Sequence, residues 1–183
     1  ILSAMTEATN FDKAYINNGG DAAFHLTGDK KVNAFVLAPS ASQIIIRGTD
    51  HYRGIATSGW QGRSHSLGIA DSVSVVASNA AAADVAATLV ANAVDLPQHS
   101  AIERTPARKL SPDSDLGDQK VTTGVGKLSS LDVAKALDNG LRFAEHILNQ
   151  QLIAGALLSL RSNMRHVGAS ETIFIEERKL LDA

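Results

Sequence analysis

The chain has 183 residues, 44% of them apolar, with no cysteine and 17 basic against 19 acidic side chains. That length suits one domain with a sizeable core, and the small net charge gives no pull toward nucleic acid or a membrane surface. Lack of cysteine excludes disulfides, thiol catalysis and thiolate metal sites. No apolar run approaches the roughly 18 residues that span a bilayer.

The opening ILSAMTEA reads as the middle or end of a helix. A chain starting at Ile1 without Met is expected to lack an N-terminal portion, so the compartment stays open, with the cytoplasm favoured. KAYINN is a strand candidate that ends in Asn17-Asn18-Gly19-Gly20-Asp21, a tight turn with positive-φ positions. AAFHL follows as a second strand, Thr27-Gly28-Asp29 as another turn, and residues 31–38 and 43–47 as β-rich runs around a Pro39-centred loop. The first half is thus expected to be an antiparallel meander.

Residues 55–92 form the organising stretch: a turn-rich loop, a strand over 72–77, and an Ala-rich helix over 79–94 capped by Ser78 or Asn79. Residues 95–127 hold three of the four prolines together with Asp113, Asp115 and Asp118, and read as a long connection or a functional lid. Ser129 or Ser130 should cap the next helix, with Gly140 stopping or kinking it. LRFAEHILNQQLIAGALLSLRSN then continues as an amphipathic helix, and residues 172–175 form a terminal strand. These elements predict a single α+β domain over 1–183, a mostly antiparallel sheet packed by helices.

The densest polar chemistry lies in the organising stretch. Thr57, Ser58, Arg63, Ser64 and His65 sit in the loop, and Asp84 and Thr88 share one helix face at i,i+4 spacing. By spacing alone the pair fits a solvated carboxylate and a threonine bonded to its own helix better than a metal-binding pair. His65 fits a general base or an ordinary exposed histidine, and Arg63 a phosphate fork or a surface charge. Trp60 and Tyr52 fit ring stacking or core packing. His25, His51, His99, His146 and His166 form no ligand pattern, and the three loop aspartates lack the glycine and terminal Glu of a calcium loop.

The segments NNGGDAAFHLTG, IATSGWQGRSHS, DSVSVVA and AAADVAATLV, in this order over residues 13–95, resemble ApbE-like proteins, the FAD:protein FMN transferase superfamily. The resemblance implies binding of FAD and Mg²⁺ and, in the transferase branch, movement of FMN onto a Thr or Ser of an acceptor protein. It places Asp84 and Thr88 at the metal and Asn18, Gly19, Gly20 and Asp21 in the turn lining the flavin site. Thr57, Ser58 and Gly59 match the ATSG segment, His65 matches the motif histidine, and Arg63 is the phosphate candidate. After His65 the chain reads SLGIADS, without the proline and glycine of the transferase motif, which resembles a shorter branch of the superfamily. The alternative this leaves is a non-catalytic binding or assembly protein on the same fold.

Overall fold

The computed structural model describes residues 1–36, 42–168 and 173–175. After α1 (Leu2–Ala8), which buries no residue, the chain forms β1 (Lys13–Asn18) and β2 (Asp21–Leu26), a hairpin closed at Gly19 and Gly20. Both glycines have positive φ, 66° and 121°, and the Asn17 side chain accepts the Gly20 N–H at 3.0 Å. The Asn-Asn-Gly-Gly sequence supplies both needs of such a turn, left-handed backbone and a local side-chain acceptor.

β3 (Lys31–Val36) and β4 (Ser42–Arg47) pair antiparallel, but in a separate sheet. The expected meander is therefore two hairpins in two layers, because β2 continues its own sheet by pairing with β5 (Gly54–Ser58). The Pro39-centred loop lies outside the described residues. β5 also corrects the reading of residues 55–58 as loop. β6 (Ser72–Ala77) and α2 (Ala80–Ala93) fall where expected, and the Asn79 side chain caps α2 by accepting from Ala82 N at 2.9 Å.

Residues 95–127 are not a bare connection. They hold β7 (Ile102–Pro106), the short α3 (Ala107–Leu110) and β8 (Lys120–Val125), paired as a two-stranded antiparallel sheet with a bulge between Glu103 and Arg104. Arg104 ties this arm down, its guanidinium bonding Asp95 and the carbonyl of Leu67. α4 (Ser130–Asn149) starts in a capping box between Ser129 and Asp132. It runs straight through Gly140, which neither stops nor kinks it. A Cβ there would lie 2.3 Å from Val94 Cγ2 and 2.9 Å from Leu158 Cδ2, so the glycine marks where α4 presses closest on its neighbours.

The expected helical continuation beyond residue 149 is also corrected. α4 ends in two crossed bonds, Gln151 N to Leu148 O at 2.8 Å and Leu152 N to Ile147 O at 3.1 Å, with Gln151 at φ 60°. The apolar run that follows is β9 (Gly155–Leu160), buried along its length, then β10 (Asn163–Gly168). β11 (Ile173–Ile175) returns to pair with β4.

The main sheet is six-stranded and antiparallel, in the order β1-β2-β5-β6-β9-β10, and the small sheet follows β11-β4-β3. Alternation divides the buried residues between the two faces of the main sheet. Val73, Val75, Ala77, Ala156 and Leu158 pack with α2 and α4, whereas Ile55, Val76, Leu157, Ala22 and Phe24 pack with Ile44 and Ile46 of the small sheet. The expected α+β class, a mostly antiparallel sheet with packing helices, is what the structure has. No helix among the described residues is long and apolar enough to cross a membrane.

Candidate functional site

Two adjoining depressions lie at the C-terminal end of β5. The first is a polar cleft of about 380 Å³. Its walls are Gly19 and Asp21 from the β1–β2 turn, Thr57, Ser58 and Gly59 from the end of β5, Arg63 and Ser64 from the loop, Asp71 ahead of β6, and Asp84 and Thr88 from α2. The second is a more apolar groove of about 620 Å³, which meets the cleft at Gly19 and Thr57.

Local sequence explains the assembly. α2 can descend onto β5 because residue 54 is glycine; a Cβ there would lie 2.1 Å from the carbonyl carbon of Asn79. Ala83, Ala87 and Ala91, one helical turn apart, are fully buried on the sheet. The flank of α2 beside these alanines, about 100° round the helix, is thereby turned to the cleft, with Asp84 exposed and Thr88 half-buried. Asn92, at the far end of α2, holds the loop by accepting from Leu67 N at 2.9 Å and Ser66 Oγ at 3.2 Å.

The polar groups differ in how far they are already engaged. Thr57 Oγ1 lies 2.7 Å from the buried Ser74 Oγ. Asp71 uses both carboxylate oxygens: Oδ1 accepts from Trp60 Nε1 at 3.2 Å and Oδ2 from the backbone N–H of Arg161 at 2.5 Å. In contrast, Asp84, Thr88 and Arg63 have no side-chain hydrogen-bond or ion-pair partner among the described residues. The Arg63 guanidinium crosses directly over the turn, where a Cβ on Gly19 would lie 2.3 Å from its Nη2.

Such a cleft can accept an anion at Arg63 and a hard cation at Asp84 and Thr88. No group of three or more His, Asp or Glu side chains gathers as a metal site among the described residues. One carboxylate and one hydroxyl supply oxygen donors but only part of a shell. That suits a cation such as Mg²⁺, which keeps waters and shares ligand phosphate oxygens.

Of the residues singled out from the sequence, Gly19, Asp21, Thr57, Ser58, Gly59, Arg63, Asp84 and Thr88 line this one cleft. Gly20 lines the neighbouring groove, while Asn18 lines neither depression. His65 is also absent from the lining; its Nε2 lies 3.4 Å from Ser111 Oγ on the arm. Tyr52 packs against the core under the small sheet. In the acidic loop, Asp118 pairs with Arg108 at 2.7 Å on the surface. Sequence reading missed Asp71 and Ser74 as site residues. Their only signal was position, flanking and within the strand that follows the loop.

The fold and cleft define an α+β protein with a polar cleft where strand ends, a glycine turn and a helix face converge. A family model described as "AbpE bacteria" matches residues 1–169, and the chain belongs to that ApbE-like family. A curated relative, a UPF0280 protein of Methanothermobacter thermautotrophicus, is 40% identical over 102 residues. The match takes in 51% of this chain and 38% of the relative, so the chain spans well under half of that protein's length.

Proposed function

We propose that this chain handles a flavin nucleotide, with the diphosphate in the polar cleft, and that it supports Mg²⁺-dependent transfer of FMN from FAD to a Ser or Thr hydroxyl of an acceptor protein. One observation carries the reading. Asp84, Thr88 and Arg63, unpartnered among the described residues, face one cleft, with the Arg63 guanidinium lying over the glycine turn where a phosphate would meet it.

In this reading Asp84 and Thr88 hold the cation, which when bound supplies neutralisation of charge on the diphosphate. Arg63 orients a phosphate through its planar fork. Thr57 and Ser58 shape the floor, and Gly19 and Asp21 close the side. The acceptor oxygen bonds to the FMN phosphorus, the bond from that phosphorus to the bridging oxygen breaks, and AMP leaves. The hydroxyl proton passes to His65 or to solvent.

His65 is the member of the set that geometry supports least, because its ring reaches Ser111 rather than the cleft. That observation favours a second reading, nucleotide binding without transfer, in which the chain is a binding or assembly protein.

The test is calorimetric titration of FAD with and without Mg²⁺, together with mass spectrometry for AMP and a phosphoester-linked FMN. The expected result is Mg²⁺-dependent FAD binding whose metal-dependent increment disappears in Asp84→Asn. Absence of any FAD binding defeats both readings. Binding without AMP release defeats transfer and leaves the second.

A further inference from the structure

The groove beside the cleft has a wall that a ring-binding pocket does not need. Val32, Asn33, Ala34 and Phe35, four successive residues of β3, all border it. Side chains of a strand alternate between faces, so a run of neighbours along one wall means that the strand presents its edge.

The hydrogen-bond pattern agrees. Gly48 N donates to Lys30 O at 2.7 Å, which makes Lys30 a residue facing β4. In an antiparallel ladder the facing residues alternate, so Val32 and Ala34 also turn their peptide groups to β4. Lys31, Asn33 and Phe35 turn theirs outward. The Lys13 Nζ donates to Lys31 O at 2.8 Å, on that outward side. β3 ends its sheet, and no strand among the described residues pairs with this edge.

The floor is the face of the main sheet next to that edge. The register places Tyr15 opposite Phe24 and Asn17 opposite Ala22. Tyr15 is 63% and Phe35 69% exposed, a large amount of aromatic surface beside an open strand edge. Exposed edges are normally covered or blunted. Here, among the described residues, the exposed side chains of Lys13 and Lys31 are what blunts it. Among the described residues no carboxylate lines the groove, Lys13 does, and Arg63 stands at its junction with the polar cleft.

We propose that the groove is a β-augmentation site. An extended peptide segment carrying acidic residues adds as a fourth strand of the small sheet, pairing with the outward peptide groups of Asn33 and Phe35. Its side chains alternate between the Tyr15–Phe24 floor and solvent. Main-chain bonds supply affinity and the aromatic floor supplies side-chain preference. Lys13 and Lys31 attract its carboxylates. A strand laid there runs toward Gly19 and Thr57, where the groove opens into the cleft. The proposal deepens the transfer reading by naming where the acceptor's chain lies and rests on that reading for its role. The binding itself is measured without flavin.

The probe is a synthetic ten-residue peptide of alternating Val and Thr preceded by two Asp, titrated calorimetrically and followed by amide hydrogen exchange over residues 31–36. The expected result is binding that protects the Asn33 and Phe35 amides. Asn33→Pro, which removes one outward donor from an edge position where proline is tolerated, should weaken it about ten-fold. Lys31→Glu, which leaves the ladder intact, should weaken the Asp-bearing peptide and leave a version with Ser in place of Asp unchanged. Equal melting temperatures of wild type and Lys31→Glu show that the fold is kept. The proposal is overturned if no peptide of either kind binds, or if binding leaves those amides unprotected. It is equally overturned if riboflavin displaces the peptide and is itself insensitive to Asn33→Pro, which makes the groove a ring site. Failure of FAD to bind while the peptide still protects β3 refutes the transfer reading and leaves the edge site standing.

Discussion

Replacing Gly19 by alanine separates two properties of the β1–β2 turn. Gly19 has φ 66°, and its Cβ position is 2.3 Å from Arg63 Nη2; Gly20 has φ 121° with nothing within 4 Å of its Cβ position. Left-handed backbone costs a non-glycine residue roughly 1–2 kcal/mol, and the Gly20 conformation costs about 1–3 kcal/mol. Both alanine variants should therefore melt lower, by about 2–4 °C for each kcal/mol lost in a chain of this size. Only Gly19→Ala pushes the guanidinium off the turn. An exposed arginine contributes about 1 kcal/mol to holding a phosphate, so Gly19→Ala should bind inorganic pyrophosphate about five- to ten-fold more weakly. Arg63→Ala should match that loss without the drop in melting temperature. Gly20→Ala should show the drop without the loss. The readouts are differential scanning calorimetry and pyrophosphate titration at low salt. If Gly20→Ala weakens pyrophosphate as much as Gly19→Ala, or if Gly19→Ala leaves affinity unchanged, Arg63 does not act over the turn as argued.

Two further outcomes follow from α4. Gly140→Ala gains roughly 1 kcal/mol of helix propensity but sets a methyl 2.3 Å from the fully buried Val94, an overpacking cost of about 1–3 kcal/mol. The net effect should be destabilising, read as a lower urea midpoint; a higher midpoint refutes the tight contact. At the other end, hydrogen bonds from the Ser129 hydroxyl and then its backbone N–H hold the Asp132 carboxyl below its ordinary value of 3.8, with His99 adding to the effect. A depressed carboxylate contributes stability above its unfolded value and loses it as pH falls through the folded value. Ser129→Ala should thus be less stable than wild type at neutral pH, with the gap narrowing as pH falls below 3.8 to the part set by the Asp132 N–H bond to the Ser129 hydroxyl. Thermal melts across that range check it, and a gap that stays constant argues against the capping box as its source.

How much of this was legible depends on where the signals reside. The 72–94 unit was readable because its cues are local: a β-branched strand, an asparagine cap and an alanine run. The β9 strand was not, because all six of its residues are buried and a two-sided apolar run has no alternation to distinguish it from helix. The stop before it was also disguised. Gln151, not glycine, takes the left-handed position that ends α4. The β7–β8 arm was hidden by prolines and aspartates that suit its turns, while the bonds that fix it come from Asp95 and Leu67 outside it. For the cleft, spacing on α2 singled out Asp84 and Thr88, and the family motifs the turn and the ATSG segment, and the structure brings them to one lining. Neither could find Asp71, whose partners Trp60 and Arg161 meet only through the fold, or place His65 against Ser111.

The alanines beneath α2 carry a mechanical consequence. Ala83, Ala87 and Ala91 have no rotamers, so the height of the helix above the sheet is set by methyl-to-backbone contact with no side-chain torsion to absorb a load. Asp84 and Thr88 ride on that rigid spacer, and among the described residues no side-chain hydrogen bond steers them. Their aim is dictated from below, by residues that never touch the cleft. A larger side chain at any of the three alanines would act as a shim, lifting both oxygen donors away from the strand ends together.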